Sequence, residues 1–354
     1  MTKMFDYESN GIVELMTVPA EERGAQWLMD ALQNAIMLEL ATLPPYLCGL
    51  WSIKDSPDST GVAAAINEIV FDEMSHLGLV CNMLTTIGGT PRLADENVVP
   101  KYPGPLPGGV RHGLTVYLSG LTKNSIAMYS KIEQPEDSVV QSRDSSAPED
   151  QVSIGAFYSD ILNVFANNSH LIRGTRQVVM DMSFAGKGNS VVALTSLSEV
   201  EGAIKIIKEQ GEGTSASPDN PFPGEPGELA HFYVFREIHE GRRLIETPAG
   251  PNRFDFVGDE IPMPDAFPMG MVPEGGWAGG PRELLERFNT NYSSLLRLLE
   301  QAWQAEEPSQ AEDLLFQAVD NMSSLRGIAR ELMGVRVSPD SDATYGPEFR
   351  YVDA

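Results

Sequence analysis

Cysteine is nearly absent from this chain of 354 residues, which has only Cys48 and Cys81. Two cysteines build no disulfide framework. Both fall in apolar helical patterns, where a free thiol acts as a small core residue. Positive charge is scarce as well: 25 Lys and Arg stand against 50 Asp and Glu, a formal net charge of −25. So acidic a surface repels phosphate backbones and anionic lipid, so neither nucleic acid nor membrane is an expected partner. No apolar run reaches the roughly 18–20 residues that span a bilayer. The first residues, 1–14, carry acidic side chains and lack the apolar segment of a secretory leader. Together these absences predict a soluble, reduced, cytoplasmic protein. Alternating strand patterns are weak throughout, which predicts an all-α fold.

What the chain does have is helical periodicity. Hydrophobic residues make up 42%, enough for a sizeable core. Residues 22–52 carry Leu28, Leu32, Ile36, Leu40 and Leu43 at helical spacing, and Pro44-Pro45 predicts a kink or a division there. A second helix is predicted over 61–87, stopped by Gly88-Gly89-Thr90-Pro91. Further helical patterns cover 114–134, 153–182, 196–210 and 228–245. Two amphipathic stretches, 282–304 and 309–334, read as a helical hairpin. The Pro- and Gly-rich segments 90–113 and 247–280 read as irregular, and loops of that length are commonly functional, here as substrate lids. The expected organisation is a metal-binding bundle at 22–246, an irregular connection at 247–280, a hairpin at 281–335 packed on the bundle, and an irregular tail at 336–354.

Two Glu-x-x-His motifs stand out, Glu73 with His76 and Glu228 with His231. Spacing of i and i+3 aims both side chains of each pair at one point on a helix face. Each motif follows a helical segment with an acidic residue at matching depth: Glu39 before the first, Glu209 before the second. Glu39 and Glu73 each lie about 20 Å from the turn they share, at about 1.5 Å per residue, so an antiparallel pair brings them level. Both are in phase with their apolar stripes and therefore point inward. An ionised carboxylate buried without a partner is costly, and a divalent metal offsets that cost. Among five histidines, two that follow a Glu by three residues is roughly a 5% coincidence at ordinary composition.

Glu39, Glu73, His76, Glu209, Glu228 and His231 thus form the expected ligand set of a dinuclear site in a four-helix bundle. Two iron ions, or manganese in their place, suit these donors. On the third ligand helix Glu209 and Glu212 both fit by depth, with Glu209 preferred; Glu133 is a further candidate. Glu73 and Glu228 are the candidate catalytic carboxylates. Tyr46, Tyr129 and Tyr158 are expected to pack in the core or to hydrogen-bond near the metals. Gly211-Glu212-Gly213 lacks the lysine of a phosphate loop.

The segment Leu38-Glu39-Leu40-Ala41-Thr42-Leu43-Pro44-Pro45-Tyr46-Leu47 resembles the first signature of the bacterial ferritin-like domain found in iminophenyl-pyruvate dimer synthases of violacein and indolocarbazole biosynthesis. Asp72-Glu73-Met74-Ser75-His76-Leu77, with Ile87-Gly88-Gly89-Thr90-Pro91 beyond it, resembles the second. Glu209-Gln210-Gly211-Glu212-Gly213 and Glu228-Leu229-Ala230-His231-Phe232 resemble the third. The similarity covers about residues 26–245. It implies a ferritin-like four-helix bundle with inserted helices and metal ligands at Glu39, Glu73, His76, Glu228 and His231. The expected function is a non-haem dimetal oxidase or oxygenase of secondary metabolism. Its partners are O₂ and a small, amino-acid-derived substrate, with self-association left open. Oxidative imine coupling and non-catalytic metal binding or storage are the alternatives.

Overall fold

The computed structural model describes residues 5–55, 60–135, 153–182, 190–212, 217–220, 228–247 and 253–353, with the backbone alone at Thr60 and Glu212. In chain order the helices are α1 (Gly11–Met16), α2 (Ala25–Ser52), α3 (Thr60–Thr86), α4 (Lys123–Ile132), α5 (Ile154–Asn167), α6 (Leu197–Glu212), α7 (His231–Glu240), α8 (Arg282–Gln304) and α9 (Pro308–Met333). The short strands β1 (Met180–Asp181) and β2 (Ser190–Val191) form one antiparallel pair. Strands β3 (Arg242–Glu246) and β4 (Phe254–Glu260) form another. The fold is all-α with these two small sheets as trim.

Helix α2 is the centre of the molecule. Every residue from Ala31 to Tyr46 is buried, and a helix apolar on all sides belongs inside a core. Gln33 near its start bonds the backbone of Arg92 beyond the end of α3, while Thr42 bonds Glu73 of α3. The two helices therefore run antiparallel. Pro44 and Pro45 leave α2 continuous, where a kink or break was expected. Pro45 cannot donate to the carbonyl of Ala41, four residues back. The Tyr102 hydroxyl replaces that donor, at 2.7 Å from Ala41 O. Tyr129 in turn donates to Pro45 O at 2.6 Å.

Three helical segments are shorter than their periodicity predicts. Helix α4 starts only at Lys123, because Thr122 and Ser125 form a reciprocal cap there. The pattern at 153–182 yields α5 and then a chain that leaves the helix at Asn168. Helix α7 spans only His231–Glu240, so Glu228 lies ahead of it. It ends at Gly241, whose φ of 73° is the left-handed conformation glycine tolerates. The next residues pair as β3 with β4, within a stretch expected to be helix and then irregular chain. Buried Glu237 fixes this turn by accepting from Arg243 Nη1 at 2.6 Å and Leu244 N at 2.7 Å.

The C-terminal hairpin of α8 and α9 packs on the α2–α3 pair. Asn82 of α3 is the pin. Its side-chain amide donates to Val178 O (2.7 Å) and Val192 O (2.8 Å) and accepts from Val178 N (3.0 Å) and Trp303 Nε1 (2.9 Å). The tail beyond α9 is tied down by Glu348, which accepts from Trp277 N and Asn289 Nδ2 at 2.6 and 2.9 Å. Cys48 and Cys81 are buried free thiols.

Candidate metal centre

Glu39 of α2 and Glu73 and His76 of α3 meet inside the bundle, with donor atoms all within 4.8 Å of one another. A second set, Glu73, Glu133 and His231, meets the same criterion of 4.8 Å. Glu73 is common to both, so the cluster is two triads hinged on one carboxylate. Each triad has an imidazole and a private carboxylate: Glu39 with His76, Glu133 with His231. All five side chains are buried.

The histidines face the shared carboxylate through Nδ1. His76 Nδ1 lies 3.5 Å from Glu73 Oε1 and 3.8 Å from Glu39 Oε2, and His231 Nδ1 lies 3.0 Å from Glu73 Oε1. Their outer nitrogens are engaged elsewhere. His76 Nε2 is 2.7 Å from Gln210 Oε1, and His231 Nε2 is 3.3 Å from Asp72 Oδ2. Both of those oxygens accept, so Nε2 carries the hydrogen in each ring. Nδ1 is then the nitrogen that faces the carboxylates, where a cation can take the place of its proton. His231 Nδ1 is buried, and its contact with Glu73 Oε1 lacks the alignment of a well-formed hydrogen bond. Metal-binding histidines show this arrangement, with one nitrogen free for the cation and the other N–H held by an acceptor behind it.

The carboxylates are braced in the same way. Tyr158 donates to Glu39 Oε1, Thr42 to Glu73 Oε2 at 2.7 Å, and Tyr46 to Glu133 Oε1. One oxygen of each is thereby fixed by a hydroxyl. Both phenols are held well above their ordinary pKa, by burial first and then by the carboxylates they face, and so remain donors.

The electrostatics describe a cluster in want of positive charge. Burial, and then the charge of Glu73, pushes Glu39 up to about 7 and Glu133 up to about 8. Burial also opposes ionisation of Glu73, but the two imidazoles override it and hold Glu73 well below the usual carboxylate range. Burial works against protonation of His76, yet Glu73 draws it up to about 9. His231 is raised against its burial by Asp72 and Glu73. Without a cation the site gathers protons instead.

A metal pair fits these residues. Donors about 2.1 Å from a cation and at right angles around it lie about 3 Å apart, close to the 3.0 and 3.5 Å between Glu73 and the two imidazoles. Mixed carboxylate and imidazole donors suit iron, manganese or zinc. A cavity of about 40 Å³ adjoins the cluster, lined by Glu39, Glu73, His76 and Glu133 and walled by Ile132, Ile154 and Ile207. Lys208 also lines it, its Nζ 2.6 Å from Ser159 Oγ. Helices α5 and α6 form the outer wall. Among the described residues, the irregular stretches expected as lids do not line this cavity.

Of the sequence-predicted ligands, the fold brings together Glu39, Glu73, His76 and His231. It does not bring in Glu209 or Glu228. Glu209 is on α6 with its Oε1 3.9 Å from Lys205 Nζ. The buried stripe of α6 runs through Val200, Ala203, Ile204, Ile207 and Gln210. One residue is about 100° of helix, so Gln210 reaches His76 and Glu209 turns aside. Glu228 precedes α7 and accepts from Asn220 Nδ2 at 3.3 Å. The side chain of Glu212 lies outside the described residues. Glu133, a secondary candidate from the sequence, takes the place expected of Glu228. Asp72 and Gln210 were missed. Asp72 is hidden by its neighbour Glu73, and Gln210 is legible only from the phase of α6.

The chain belongs to the ferritin-like family: the model described as ferritin-like matches residues 32–240. It is also similar to the crystal structure of a ferritin like protein from Caulobacter vibrioides. The TM-score is 0.61 at 23% identity, covering 93% of this chain and 99% of that one. At that identity the likeness speaks for the fold. No curated protein matches the chain. Among the described residues, no helix is long and apolar enough to cross a membrane.

Proposed function

We propose that the chain is a non-haem dimetal oxidase or oxygenase acting on a small organic metabolite, with two iron ions preferred over manganese. One observation carries this reading: two buried Glu/His triads share Glu73, and both imidazoles present Nδ1 while Nε2–H is held from behind. Glu39 and His76 would hold one ion and Glu133 and His231 the other, with Glu73 available to both. Bound there, such ions would supply the electron transfer between O₂ and the substrate.

The protein's own groups set the conditions for that chemistry. Tyr158, Thr42 and Tyr46 fix the carboxylate planes. Ile132, Ile154 and Ile207 exclude water from the reacting space. Lys208 is the only Lys or Arg among the described residues lining it, and it favours a substrate bearing a carboxylate. That preference, with the likeness to iminophenyl-pyruvate dimer synthases, supports an amino-acid-derived acid as substrate, of which the space of about 40 Å³ admits one small end.

The test is anaerobic loading with Fe(II), metal analysis and O₂ uptake. The native chain is expected to hold two irons and to consume O₂ on exposure. Glu73→Ala is expected to lose both properties while keeping its helical circular dichroism. Undiminished uptake by the variant, or accumulation of hundreds of irons per assembly, overturns the reading.

A further inference from the structure

Helices α2 and α3 carry a second cavity on their other side. Glu39, Thr42, Glu73 and His76 line the carboxylate space. Leu40, Leu43, Met74 and Leu77 line a separate cavity of about 260 Å³, closed by α8 and α9. The two spaces share no lining residue among those described. The wall is almost wholly hydrocarbon. Trp303 contributes its ring, because its N–H is already donated to Asn82. Asp181, at the edge, accepts from Ser190 Oγ at 3.2 Å. No Lys or Arg lines the space among the described residues.

One polar group there is unsatisfied. Tyr292 of α8 lines the cavity and is 4% exposed, and its hydroxyl has no hydrogen-bond partner. Buried tyrosine hydroxyls ordinarily find an acceptor, and leaving one without is unfavourable. The ring is not loose: it packs edge-on against Phe349 with centroids 5.1 Å apart. The donor is therefore fixed in an apolar wall.

We propose that this cavity is a second ligand site. It takes a neutral, mainly hydrocarbon molecule with a single carbonyl or ether oxygen, which accepts from Tyr292. The size follows by proportion: an apolar cavity of about 150 Å³ holds benzene, so this one holds about ten heavy atoms. Charge is selected against, since no cation faces the space and Asp181 sits at its rim. The site is independent of the metal reading, because neither Tyr292 nor the hairpin touches the carboxylate cluster.

Titration calorimetry on the full-length protein tests this with 2-nonanone, nonane and nonanoate at neutral pH. The ketone is expected to bind once per chain, the hydrocarbon more weakly, and the carboxylate not measurably. Tyr292→Phe keeps the shape and removes the donor. It is expected to weaken the ketone roughly fivefold to tenfold, the worth of one hydrogen bond, and to leave nonane and metal content unchanged. Leu299→Trp fills the space and is expected to abolish binding of both; if it does not fold, Tyr292→Phe decides alone. No ketone bound by the native chain, an undiminished ketone preference in Tyr292→Phe, or nonanoate binding as tightly as the ketone overturns the proposal.

Discussion

Replacing Glu133 and Glu228 in parallel separates the structure from the sequence pattern. The Glu-x-x-His spacing nominates Glu228, whereas the fold places Glu133 beside His231 and Glu73. Each triad provides three protein donors, with Glu73 counted in both. With one ion in each triad, Glu133→Gln would leave the second ion only His231 and a share of Glu73, while the first would retain Glu39, His76 and Glu73. Metal content should fall from two ions per chain to one. Glu73→Gln weakens both triads, so content should fall towards none. Glu228→Gln removes a carboxylate whose oxygen is bonded to Asn220, and content should stay at two. Disturbing groups behind the ligands already costs about 10–100-fold in affinity, so losing a direct ligand should exceed that and show plainly in stoichiometry. The assay is elemental analysis after anaerobic loading and desalting, with circular dichroism to confirm folding. Two ions in Glu133→Gln and one in Glu228→Gln would refute the assignment.

Three further outcomes follow from single contacts. Asp72→Ala removes the acceptor behind His231 and should weaken metal binding about 10–100-fold, read from a competitive chelator titration; an unchanged affinity means Asp72 does not orient the ring. Asn82→Ala strands two carbonyls and two N–H groups at the junction of α3, α8 and the 178–192 segment. At about 1–3 kcal/mol for each buried group left unpaired, relieved in part by relaxation, a loss of about 3–5 kcal/mol is expected in urea unfolding, and less than about 1 kcal/mol contradicts the pin. Tyr102→Phe leaves Ala41 O with no donor, since Pro45 has none to give. It should cost about 1–2 kcal/mol, whereas a neutral result means that α2 tolerates its prolines without help.

What the sequence made legible depended on the range over which its signals act. Glu39, Glu73 and His76 could be read because depth and phase on two long helices close together in the sequence are nearly a local property. The α8–α9 hairpin was legible for the same reason. Glu133 was harder, since it ends a ten-residue helix and reaches the cluster only because α4 packs against α2 and α7. Nothing in its local pattern announces a ligand. Glu209 shows the opposite failure. Its distance from a breaker matched Glu228, but depth without phase is half a coordinate, and the stripe through Ala203, Ile207 and Gln210 points the neighbouring residue inward. The paired prolines of α2 teach a third lesson. Their local rule forecasts a break, yet the Tyr102 hydroxyl, 61 residues along the chain from Ala41, supplies the missing donor. Tyr46 and Tyr158 belong with it, core residues by composition that act on the site through one oxygen each. A cluster of five buried carboxylates and imidazoles, with the groups that brace them, is therefore only partly written in the motifs that advertise it. The remainder lies in which helix turns a hydroxyl or an amide towards them.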